Sequence, residues 1–193
     1  MAAARRVLFF AALCFRLALR RETSPLEALG LPGVQSRERV EGASAARKFP
    51  GRFDSPGFPV LYVATTVETC AAEIAHHLKA HYLDLAHAIR PQDFDYTLLE
   101  VPMAGAFDDL RSRRDAPKGL QSPASGVYSL ARLYAFRAFQ EGLDGLIHAS
   151  ARHRGGTCVA RFLAGGLVLA TRPVGRVRFH WTGKKLLQAA ARV

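Results

Sequence analysis

Between residues 59 and 65 the chain reads PVLYVAT, a compact run of β-branched and aromatic side chains that predicts a strand. Thr65 has Glu68 three positions on, the spacing of a capping box, so a helix is expected to begin there. Val67, Cys70, Ala71, Ile74, Leu78 and Tyr82 then recur at helical spacing and define its core-facing stripe. Glu73, His77 and His81 follow at every fourth position beside that stripe, where a carboxylate can point into a cleft instead of bulk water. YTLLEV (96–101) predicts another strand, followed by a basic loop over 111–118. Ser122-Pro123 marks a second helix start, with serine at the cap and proline in the first turn. Its apolar face is expected from Val127, Leu130, Ala131, Tyr134 and Ala138, ending towards Gly142. Further strands are predicted at 145–149, 157–163 and 177–181. Short strands scattered among helices indicate an α+β protein and not a doubly wound parallel sheet.

The chain has 193 residues, enough for one domain with a sizeable core. Residues 1–21 carry Arg5 and Arg6, the apolar run VLFFAALCF and no acidic group, the look of a targeting peptide. Arg16 follows that run after Phe15, no small-x-small site precedes Arg20-Arg21, and the run is too short to span a bilayer. It is therefore read as a first strand or helix, or as an over-extended start. Residues 22–50 show a short helical pattern at 25–29 and otherwise read as a long loop.

Charge narrows the partners without choosing one. Lys and Arg exceed Asp and Glu by 11, which favours anions: nucleic acid, a membrane surface, an acidic protein or a phosphate-rich small molecule. An arginine-biased genome would produce the same excess. No helix-turn-helix, zinc-finger or RNP-like pattern is present, so specific nucleic-acid binding is not expected. Three cysteines without paired spacing (Cys14, Cys70, Cys158) argue against a disulfide framework and for a reducing, cytoplasmic setting. His77 and His81 share a helical face, but Leu78-Lys79-Ala80 lies between them where a zinc protease helix would carry its glutamate, so no metal is expected.

Two constellations can carry chemistry. The first is Arg52, Tyr62 and Glu73: a cation, an aromatic and a carboxylate able to hold a dinucleotide and to stabilise positive charge on its ribose. The second is DGLIHASARHRGG (144–156), where Ser150 closes a strand and a turn with Arg152, Arg154 and paired glycines follows. Hydroxyl and guanidinium groups at a strand end beside a glycine-rich turn suit phosphate or ribose contacts. Ser150 lacks a GxSxG elbow, which argues against a hydrolase nucleophile. The alternative for both sets is structural: a surface arginine, a core tyrosine, a solvated glutamate and a basic hairpin turn.

Read in order, GRF (51–53), VLYVA (60–64), ETCAAEIAHH (68–77), DGLIHASARHRGGTCVARF (144–162) and RFHWTG (178–183) resemble the RES domain family, named for its arginine, glutamate and serine. With RERVEG (37–42) the resemblance covers 37–183, leaving 1–36 as an N-terminal segment and 184–193 as a C-terminal tail. It implies an ADP-ribosyltransferase-like fold, with a cleft between small β-sheets and flanking helices. It implies the toxin of a bacterial toxin–antitoxin pair that depletes NAD by phosphorolysis or hydrolysis of the nicotinamide–ribose bond. It further implies an antitoxin partner with a helix-turn-helix domain. NAD is then substrate and not cofactor, with inorganic phosphate as co-substrate in the phosphorolytic case. Carried over by position, Arg52, Tyr62, Glu73 and Ser150 are the expected catalytic set. Arg152 and His77 match recurring neighbours, and Arg16 is the candidate for an arginine that the family places on its first strand. Rival readings are an ADP-ribosyltransferase, a non-catalytic basic binding module and, last, a metal-dependent hydrolase.

Overall fold

Hydrophobic alternation of period two and stripes of period 3.6 sort the chain into strands and helices whose apolar sides must meet. The computed structural model describes residues 7–19, 52–53, 58, 60–83, 91–111, 128–163, 171–182 and 185–192. In chain order these form β1 (Val7–Leu19), β2 (Val60–Ala64), α1 (Val67–Leu83), β3 (Gln92–Asp109), α2 (Tyr128–Gln140), β4 (Gly145–Ala149), β5 (Thr157–Phe162), β6 (Arg172–Trp181) and β7 (Leu186–Arg192). The expected α+β class holds.

The strands join in one mixed sheet, ordered β1-β2-β5-β4-β3-β6-β7, and β1 also pairs with β3. That extra pairing runs antiparallel from Val7↔Asp108 to Leu19↔Tyr96 and closes five strands into a ring. Inside the ring lie Cys14, Leu61, Val63, Val101, Met103, Phe107, Ile147 and Val159, drawn from all five strands. The N-terminal apolar run is thus a sheet strand, with Cys14 fully buried and Phe9 on the outer side.

Several expectations shift at their edges. The strand expected at 96–101 extends over Gln92–Asp109, past Pro102. Along β3, β6 pairs with residues 92–100 and β4 with 107–109, so among the described residues Pro102 pairs with β1 alone, as proline does at positions with one paired neighbour. The 177–181 strand begins at Arg172, the 157–163 strand ends at Phe162, and residues set apart as a tail pair onto β6 as β7. Helix α1 is capped by Thr66 and not Thr65: Thr66 Oγ1 accepts the Thr69 N–H at 3.2 Å. Thr65 still belongs to the sheet, its N–H donating to the Thr157 carbonyl at 3.0 Å. On α2 the buried face is Ala131, Ala135 and Ala138, while Leu130 is exposed. The stretches 22–50 and 112–127, with the Ser122-Pro123 start and Val127, lie outside the described residues.

Part of the positive charge is neutralised in pairs directly across β3 and β6. Arg172–Glu100 (2.8 Å), Arg178–Asp95 (2.7 Å) and His180–Asp93 (2.6 Å) sit at matched register positions. Such exposed pairs add little stability.

Register places the site. Tyr62 pairs with Ala160 and Ala160 with Leu146; Ala64 pairs with Cys158 and Cys158 with His148. Side chains alternate along a strand, so all six share the outer face of β2, β5 and β4. One end of that face (Ala64, Cys158) packs under α1 with Cys70 and Ala71. The other end (Val60, Ala160, Phe162, Leu146) packs under α2 with Phe53 and Phe58. The seam between these two clusters is where the polar side chains gather.

Candidate active site

Glu73 follows Cys70 by three residues and so stands beside the buried stripe of α1, half-buried above β5. Ser150 follows β4 immediately, and its hydroxyl donates to Glu73 Oε1 at 2.6 Å. The same oxygen of Ser150 accepts the backbone N–H groups of Arg152 (3.1 Å) and His153 (2.9 Å). With both lone pairs engaged, the single serine proton is aimed at the carboxylate. Ser150 therefore acts as a fixed donor that orients Glu73. The Cys158 thiol, 3.8 Å from the same Oε1, adds a weak donor. Burial, and then the nearby Glu73 charge, push that thiol up to about 12, so it stays protonated.

Tyr62 reaches the seam from β2. Its hydroxyl accepts the Phe53 N–H at 2.8 Å and pins the turn that carries Arg52. Phe53 is fully buried, and the Arg52 guanidinium carbon lies 5.8 Å from its ring centre. Arg52 and Glu73 both act on His148, whose ring centroid is 5.2 Å from that of Phe53. Arg52, Tyr62, Glu73 and Ser150 thus converge on one seam, the first two through Phe53 and the last two by direct contact.

The other sequence candidates are Arg152, His77 and Arg16. The Arg152 side chain is exposed at the rim, where its charge helps, after burial, to hold the His76 imidazole below its usual range. His77 is exposed on the outer side of α1, its ring 5.9 Å from that of His76. Arg16 sits on β1 opposite Leu99, and its side chain lies outside the described residues, as does that of His81. No group of three or more metal-ligating side chains occurs among the described residues, and no described helix is long and apolar enough to cross a membrane.

Two features were not singled out from the sequence. His148 faces the seam from β4, and the i, i+2 alternation ending at Ser150 was the signal for it. The second is a strut holding the serine turn: fully buried Thr69 bonds through Oγ1 to Thr66 Oγ1 (2.9 Å) and to His153 Nδ1 (2.8 Å). Gly156 lies against it, a Cβ there falling 2.6 Å from Thr69 Oγ1 and 3.0 Å from His153 Nδ1. The turn is thereby clamped to the first turn of α1 at Thr69, four residues before Glu73. No local sequence signal pairs Thr69 with His153, 84 residues apart.

Among the described residues, seven strands, two helices and a carboxylate–serine pair on one sheet face define an α+β protein with a solved counterpart. A chain of the crystal structure of the M. tuberculosis MbcT–MbcA toxin–antitoxin complex superposes with a TM-score of 0.56 at 14% identity, covering 87% of this chain and 86% of that one. No curated protein matches the sequence. The RES domain family model matches residues 34–182, and the chain belongs to that family.

Proposed function

We propose that this protein is the toxin of a toxin–antitoxin pair and that it cleaves the bond between nicotinamide and ribose in NAD. The observation that carries the reading is the Ser150–Glu73 bond, with Arg52 and Tyr62 on the same seam. Family membership and the MbcT–MbcA counterpart support the toxin role and an antitoxin partner. A helix-turn-helix antitoxin and action in the cytoplasm belong to the same proposal.

The chemistry needs few groups. Nicotinamide leaves with the electron pair of the C–N bond as a neutral molecule, so no general acid is required, and positive charge develops on the ribose. Glu73, held by donors at Oε1, offers Oε2 to the ribose hydroxyls and its charge to the oxocarbenium ion. Arg52 clamps the pyrophosphate or an attacking phosphate, for which a planar guanidinium is suited. Water as nucleophile yields ADP-ribose and a proton; hydrogen phosphate yields the 1-phosphate of ADP-ribose.

The test follows NAD and nicotinamide with purified protein, with and without inorganic phosphate, beside Glu73→Gln. Nicotinamide release that falls by at least about 10²-fold in Glu73→Gln is expected, and phosphate dependence selects phosphorolysis. Wild-type turnover in Glu73→Gln removes the mechanism. Label from NAD accumulating on macromolecules identifies a transferase instead.

A further inference from the structure

His148 has no task in the cleavage chemistry, yet it sits on the same seam. It pairs in register with Cys158, whose thiol points at Glu73, and it precedes Ser150 by two residues. Its Nδ1 lies 3.0 Å from the carbonyl oxygen of Ala149. A carbonyl oxygen only accepts, so Nδ1 carries the proton. Burial, and then the Arg52 charge, push the imidazole down to about 4, against that Ala149 bond and the Glu73 charge. At neutral pH the ring is uncharged, and Nε2 presents a lone pair. That nitrogen is buried and has no hydrogen-bond partner among the described residues. Native folds leave few buried polar atoms in this state, and a ligand donor is one remedy.

The surroundings select the donor. Phe53, fully buried, packs against the imidazole at 56° and makes the surroundings of Nε2 aromatic on that side. Glu73, an anionic acceptor, competes better than a neutral nitrogen for the ribose hydroxyls. What remains for Nε2 is an N–H donor carried by an aromatic ring. We propose that His148 is a specificity-determining residue whose Nε2 accepts the carboxamide N–H of the nicotinamide and so selects the amide over the corresponding acid. The assignment rests on the cleavage of NAD and deepens it. A carboxylate in that place would set its charge against Glu73 and its lone pairs against Nε2, with nothing to donate; discrimination arises from repulsion as well as attraction.

The experiment compares kcat/KM for NAD and for nicotinic acid adenine dinucleotide in wild type, His148→Phe and His148→Gln, each checked for folding by circular dichroism. Wild type is expected to prefer NAD by about 100-fold or more. His148→Phe keeps a ring against Phe53 but removes the acceptor, and its preference should fall below about 10-fold. His148→Gln returns an acceptor oxygen and should recover part of the preference. Equal use of both dinucleotides by wild type overturns the assignment without any variant, so a misfolded His148→Phe does not shelter it. Parallel losses on both substrates in His148→Phe, with the ratio intact, place Nε2 on a ribose hydroxyl and also overturn it. If wild type cleaves neither dinucleotide, the function itself fails. The same contrast is then read from binding of nicotinamide and nicotinic acid by saturation-transfer NMR. Preference for nicotinamide that His148→Phe loses supports the pocket, and absence of preference overturns it.

Discussion

Replacing Gly156 by alanine should separate positioning from stability. A Cβ at this position would stand 2.6 Å from Thr69 Oγ1 and 2.9 Å from Thr69 Cγ2, about 0.8 Å short of ordinary contact at 3.4 Å. Thr69 cannot withdraw: it is fully buried in the first turn of α1 and bonded to Thr66. The turn must move instead. Gly156 accepts the Ser150 N–H at 2.8 Å, so a shift of this size passes to the serine and stretches its 2.6 Å bond to Glu73 towards the limit of hydrogen bonding. Overpacking of this kind costs about 1–3 kcal/mol, roughly 2–12 °C in Tm for a chain of this size. A misplaced site costs about 10²-fold in turnover. Gly142→Ala is the control. It has open space but a φ of +78°, so alanine there is strained by roughly 1–2 kcal/mol. It lies before β4, at the opposite end of that strand from Ser150. Both variants should melt lower, and only Gly156→Ala should lose NAD cleavage, read as nicotinamide release by chromatography at a temperature where both are folded. Equal activity in the two variants, or a Gly156→Ala protein with wild-type turnover and Tm, refutes the clamp.

Other expectations follow from the same contacts. Ser150→Ala removes the 2.6 Å donor to Glu73 and the acceptor of two backbone N–H groups; it should lower turnover roughly 10- to 100-fold and stability by about 1–2 kcal/mol. Because the serine works through the carboxylate, the Glu73→Gln/Ser150→Ala double variant should fall no further than the worse single one, and additive losses would contradict the coupling. Acid should weaken the fold through His148. Its folded pKa of about 4 lies below the ordinary 6.5, so its contribution is fully present above pH 6.5 and is lost as pH falls towards 4. Thermal melts from pH 4 to 7 should show a shallower decline in His148→Phe than in wild type, and identical slopes would refute that origin.

Local patterns marked β4 to the residue, placed α1 within a turn and offered Arg52, Tyr62 and Glu73 as one chemical set and the turn after Ser150 as another; the resemblance to RES domains joined them. These are properties of short windows: alternation, helical stripes and residue types that suit one kind of charge. Windows failed where a distant partner decides the outcome. The strand expected to end at Val101 runs on to Asp109, because β1 pairs with it past Pro102. Leu130 looked like core, but the close approach of α2 to the sheet selected alanines.

The sequence by itself determined the α+β class, the resemblance to RES domains and the side chains available for chemistry, because residue type and period are written locally. Only the tertiary structure decided that the first strand closes a ring with β3, that Thr69 and His153 brace the serine turn, and that His148 faces the seam with a nitrogen unpartnered among the described residues. Each depends on strand register or on contacts between residues far apart in the chain, and a shift of one residue in β4 would turn His148 to the opposite face.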